Sequence, residues 1–116
     1  MAMPTTEQKQ GLLDAVSQIR DAQSLLLDAS RSMSDIASLI QTNTEYKHLD
    51  SYISQILHLQ AIADDTDFNN AAAALKTQSS VLSVEAATIS KIIKDVDRAA
   101  KIVGYISKAI QILGKL

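Results

Sequence analysis

Apolar residues in the first third of the chain recur every seven positions. Leu12, Ile19, Leu26, Met33 and Ile40 form one row; Ala15, Ala22, Ala29 and Ile36 form a second, three residues on. Rows spaced three and four residues apart share one side of a helix, and their persistence predicts a coiled-coil-like seam. Thr5 or Thr6 can cap the N-terminus, and Glu7 stands where the helix dipole favours an acid. The pattern predicts a helix over residues 6–41, roughly 50 Å long at 1.5 Å per residue.

Thr42-Asn43-Thr44-Glu45 has the spacing of a capping box, in which hydroxyl and carboxylate each take an orphan backbone N–H. The apolar positions beyond it, Leu49, Tyr52/Ile53, Ile56, Leu59 and Ala63, are out of phase with the first seam. A second helix is therefore expected over 44–79, broken near Asp64-Asp65-Thr66, where acids and cap residues cluster. From Phe68 the seven-residue row returns through Leu75, Leu82, Ile89, Val96, Val103 and Ile110. Its companion row is polar at Gln78 and Glu85, then apolar at Ile92, Ala99, Ile106 and Leu113. The polar run Lys76-Thr77-Gln78-Ser79-Ser80 marks either a second turn or the middle of one helix of unusual length; with the turn, a third helix is expected over 81–115. The sequence thus predicts an all-α fold, with residues 1–116 as a single domain. Its architecture is an elongated antiparallel bundle of three long helices, the middle one kinked or broken near Asp64–Thr66.

Composition narrows the alternatives. The chain has 47% hydrophobic residues, too many for a disordered tail. Neither Gly nor Pro occurs between Leu12 and Val103, which disfavours turn-rich and sheet folds. Without cysteine there is no disulfide framework and no thiolate metal site. The N-terminal residues lack a basic-then-apolar leader pattern, and no uncharged apolar run reaches the length of a conventional transmembrane helix. The expected location is cytoplasmic, or outside the cell by a signal-independent route.

Candidate chemistry is sparse. Glu45-x-x-His48 puts a carboxylate and an imidazole on one helical face, as in di-iron carboxylate bundles. Such centres need a second copy of the pair, and His58 has no glutamate at that offset, so a capping glutamate on a surface helix is the simpler reading. Asp65-Thr66-Asp67-Phe68-Asn69 opens like a calcium loop, but Asn70 replaces the glycine of the sixth position and Lys76 the glutamate of the twelfth. No glycine-rich phosphate loop and no recognisable nucleophile–base motif is present. The sequence predicts no enzyme, no cofactor, no metal and no small-molecule substrate. Nucleic acid is not expected as a partner either, because the basic residues are too few for a reading surface.

Charge is divided along the chain. Residues 1–90 hold five basic and eleven acidic side chains, a net −6; residues 91–116 hold six and two, a net +4. Asp14, Asp21, Asp28 and Asp35 recur every seven residues, as do Lys94, Lys101, Lys108 and Lys115. Both lines lie off the main apolar rows. They read either as solvated faces or as a zipper in which one subunit's acids meet another's lysines, with Leu13 and Leu27 adding apolar area. An exposed ion pair is worth about 0–1 kcal/mol, so a zipper would choose orientation more than supply affinity.

The last helix carries a broad apolar arc of Ile102, Val103, Ile106, Ile110, Leu113 and Leu116, widened by Tyr105 and Ile112. A three-helix bundle would leave part of this arc uncovered. The expectation is a non-catalytic helical protein that works by self-association, as a homo-oligomer, or through a protein partner. The alternative is a membrane-active, pore-forming-like protein whose cationic C-terminal helix, residues 99–116, meets an anionic membrane surface.

Overall fold

A computed structural model describes residues 5–115. It is all-α, with four helices where the sequence pattern predicts three: α1 (Thr6–Ser30), α2 (Ile36–Ala61), α3 (Asp65–Ile92) and α4 (Val96–Gly114). Long-range contacts fix the arrangement. The Lys9 amine, near the start of α1, donates to the carbonyls of Gln60 and Ile62 at the end of α2. Tyr52 on α2 donates to the Leu75 carbonyl on α3 at 2.9 Å. Ile112 on α4 packs beside Gly11 on α1. Neighbouring helices are therefore antiparallel, and each packs against two others: α1 on α2 and α4, α3 on α2 and α4. The bundle measures 55 × 21 × 19 Å.

Each helix start has a local cause. Thr5 forms a capping box with Gln8: its hydroxyl accepts from the Gln8 N–H at 3.0 Å, and the Gln8 side chain accepts from the Thr5 N–H at 2.9 Å. The other three helices begin at an aspartate whose carboxylate accepts from the N–H three residues on: Asp35 from Ser38, Asp64 from Asp67, Asp95 from Arg98. Among the described residues no backbone φ is positive, so none of the three connections needs glycine.

These caps relocate the expected boundaries. The break near Asp64 is present, as a full reversal between α2 and α3. The break at 41–44 is absent. Thr42 is buried within α2 and donates back to the Ser38 carbonyl at 2.7 Å, and Thr44 donates to Ile40 at 3.0 Å, so both hydroxyls are satisfied without ending the helix. The turn at 76–80 is absent for the same reason, since Thr77, Ser79 and Ser80 each donate to a carbonyl three or four residues earlier. The actual reversals fall at 31–35 and 93–95, inside runs that keep the seven-residue period.

Leu12, Ile19 and Leu26 of α1 are fully enclosed with Leu49 and Ile56 of α2, Phe68 and Ile89 of α3, and Ile102, Ile106 and Leu113 of α4. Each such side chain contributes about 1.5–3 kcal/mol of burial. The rows change character beyond the reversals. Met33 is half-buried, whereas Ile36 is 73% exposed, Ile40 63% and Val96 79%. The phase explains it. Ile40 precedes the core residue Leu49 by nine positions, two and a half turns, and so points to the opposite side of α2. Val96 is the first residue of α4, ahead of its first buried side chain, Ala99.

Candidate functional site

Two sets of side chains stand out from the packed core: apolar ones left on the surface and polar ones taken into it. Ile36 and Ile40 open α2 and Val96 opens α4, so all three lie at the end of the bundle that carries the connections 31–35 and 93–95. Between those connections is a cleft of about 150 Å³ lined by Met33, Asp35, Ser38, Ile93, Lys94 and Arg98, among others. The Asp35 carboxyl there is held below the usual carboxylate range, chiefly by the Ser38 hydroxyl and N–H, with a small contribution from Lys94.

The predicted charge lines are exposed throughout, but one aspartate and two lysines lie outside the helices. Asp14, Asp21 and Asp28 lie on α1, whereas Asp35 is the cap of α2; Lys101 and Lys108 lie on α4, with Lys115 just past its end, whereas Lys94 is in a connection. The two lines belong to neighbouring helices of one molecule. Within it, Asp28 pairs with Arg31 at 3.2 Å. Leu13 and Leu27 are exposed, and Leu27 borders a groove between α1 and α2 together with Leu39 and Tyr46.

The apolar arc of α4 is covered from within. Ile102, Ile106 and Leu113 are buried, and Val103, Tyr105, Ile110 and Ile112 are half-buried against the core. The fourth helix supplies the cover that three helices would have lacked, because α4 sits between α1 and α3. Leu116 lies outside the described residues. No helix among them is long and apolar enough to cross a membrane.

The polar set lies between α2 and α3. His48 Nδ1 is 2.8 Å from Glu85 Oε1 and 3.8 Å from Glu45 Oε2. The His48 side chain is 53% exposed, but those of Glu45 and Glu85 are only 9% and 12% exposed. Oε2 of each glutamate is buried without a hydrogen-bond partner. Burial pushes the Glu45 carboxyl above its ordinary value, and His48 partly offsets this. Glu45 and His48 are one turn apart, and their pairing is visible in the sequence. Glu85 joins them only because α3 runs antiparallel to α2 in this register, which no local pattern announces. One ligand atom from each of the three lies within 4.8 Å of the other two, so among the described residues they are the group that could hold a metal ion. No protein-family model, curated protein or solved structure matches the chain.

Proposed function

We propose that this protein is a non-catalytic helical assembly protein that binds a second copy of itself through the end of the bundle bearing residues 31–40 and 92–98. The observation that carries the reading is the exposure of Ile36, Ile40 and Val96 together at one end of the bundle, whereas the other exposed aliphatics, Val81 and Val84 among them, lie along the sides of the helices. Large aliphatic side chains gathered at one end gain from being covered, by about 1.5–3 kcal/mol each when fully buried. The same end carries both signs of charge, with Asp35, Asp95 and Asp97 beside Lys91, Lys94 and Arg98. A surface of mixed sign can meet its own two-fold image with opposite charges opposed. The lines Asp14, Asp21, Asp28 and Lys101, Lys108, Lys115 would orient further copies around that contact.

Light scattering on the purified chain is the test. A dimer or higher oligomer that dissociates to a folded monomer in an Ile36→Ser, Ile40→Ser, Val96→Ser variant supports the reading. A wild type that is monomeric at high concentration overturns it. The membrane-active alternative requires α4 to withdraw its buried face from α1 and α3 before meeting lipid. Flotation of the full chain with anionic liposomes would favour that alternative.

A further inference from the structure

Glu45 and Glu85 bring two carboxylates to one spot between α2 and α3, where water reaches little of either side chain. Two carboxylates there face one imidazole, in a setting that disfavours charge. Two of the four carboxylate oxygens, Oε2 of each glutamate, have no donor at all. A bundle interior that sought only stability would place apolar residues here, as the layers of Leu49 and Leu82 on the same two helices do. The two carboxylates outnumber the donors that face them.

The spacing fits a small cation. Zinc bonded at about 2.0–2.1 Å in a tetrahedron has ligand atoms about 3.3 Å apart. The two measured edges, His48 Nδ1 to Glu85 Oε1 at 2.8 Å and to Glu45 Oε2 at 3.8 Å, bracket that value. The third edge, like these two, is below 4.8 Å. Glu45 is held by its place in the core of α2, and Glu85 by its half-buried position on α3. His48 faces a surface groove shared with Ser51, Gln55, Gln78 and Val81, which gives an ion a way in and leaves its remaining position to water. One imidazole and two carboxylates form a donor set suited to first-row divalent ions, with three protein ligands and an open position.

We propose that Glu45, His48 and Glu85 form a binding site for a divalent transition-metal ion of the zinc class, which ties α2 to α3. The site is separate from the bundle end assigned above to self-association, so either can fail without the other.

Calorimetric titration of the full-length, chelator-treated chain with Zn²⁺, paired with Co²⁺ as a spectroscopic probe, tests the site. One ion should bind per chain at micromolar metal, raise the melting temperature, and give Co²⁺ the visible absorption of a low-coordinate nitrogen–oxygen site. Glu85→Gln and His48→Ala should each weaken binding at least about tenfold, with helicity unchanged by circular dichroism, and His58→Ala should leave it intact. Should a variant fail to fold, the ring signals of the wild type decide the question: Zn²⁺ that shifts His48 and spares His58 supports the site. Absence of binding, binding that survives Glu85→Gln and His48→Ala, or a shift confined to His58 overturns it.

Discussion

The two ends of the bundle are built from the same kinds of helix and the same aspartate cap, yet they finish differently. At one end the Lys9 amine donates to the carbonyls of Gln60 and Ile62 and lies 5.2 Å from the centre of the Phe68 ring. That single cation satisfies carbonyls left over at the end of α2 and covers an aromatic ring that is itself fully enclosed. Among the described residues no such bolt exists at the other end, and Ile36, Ile40 and Val96 face outward there. Asp64 caps at the closed end as Asp35 and Asp95 do at the open one. Capping therefore starts the helices at both ends, and the difference lies in what seals the layer beneath the caps.

The comparison is broken most severely at Phe68. Phe68→Ala should cost about 3–5 kcal/mol in denaturant unfolding, the usual loss for an enclosed aromatic. Lys9→Met keeps the stem and removes the charge, and should cost about 1–2 kcal/mol by freeing the α2 carbonyls and the face of the ring. Gly11 is inside α1 at the same end, and a methyl there would meet Ile112 at 3.6 Å, an ordinary contact. Gly11→Ala should consequently stabilise by about 0.5–1 kcal/mol, measured in the same titration. At the open end, Ile36→Ser and Ile40→Ser should each change unfolding of the monomer by no more than about 0.5 kcal/mol, since little of either side chain is buried. A large loss there in dilute solution would mean that the end is not open.

Between the ends, Glu45 supplies a contrast that depends on pH. Its folded-state carboxyl is raised by burial, so ionising it opposes folding, and its contribution is most favourable below the ordinary carboxylate range. Without metal, Glu45→Gln should exceed the wild type in stability at neutral pH, and the gap should close as pH falls through that range. Thermal melts from pH 7 down to pH 4 measure it.

Much of this arrangement is legible in the sequence, and the failures have a common cause. The period of seven places Leu12, Ile19 and Leu26 in the core of α1, and Phe68, Leu75, Leu82 and Ile89 in that of α3. The acids at 64–67 mark a real reversal. The reversals at 31–35 and 93–95 escape because Met33, Ile36 and Val96 keep the period across them, and neither Gly nor Pro interrupts it. Their only local sign is an aspartate before an aliphatic residue, Asp35-Ile36 and Asp95-Val96, a weaker signal than the capping box at Thr42 that the chain does not use. Thr42 and Glu45 mislead because their side chains find partners inside a continuing helix: the Thr42 hydroxyl donates to the Ser38 carbonyl, and Glu45 meets His48 one turn on. The contact between His48 and Glu85 joins residues 37 apart in sequence and rests on helix register alone.

The absence of positive φ from the connections bears on how such a chain can diverge. A turn that needs the left-handed region preserves its glycine, and that glycine becomes a signature by which relatives are recognised. Here no turn position demands glycine, so beyond the capping aspartates and the buried Ile93 the connections are open to substitution, and doubling a connection's length costs only about 0.6 kcal/mol in closure entropy. Drift can erase the turns while selection holds the phases of the apolar rows. Kinship for this fold would be written in the spacing of Leu12, Ile19, Leu26 and their counterparts, with no turn motif to anchor the alignment.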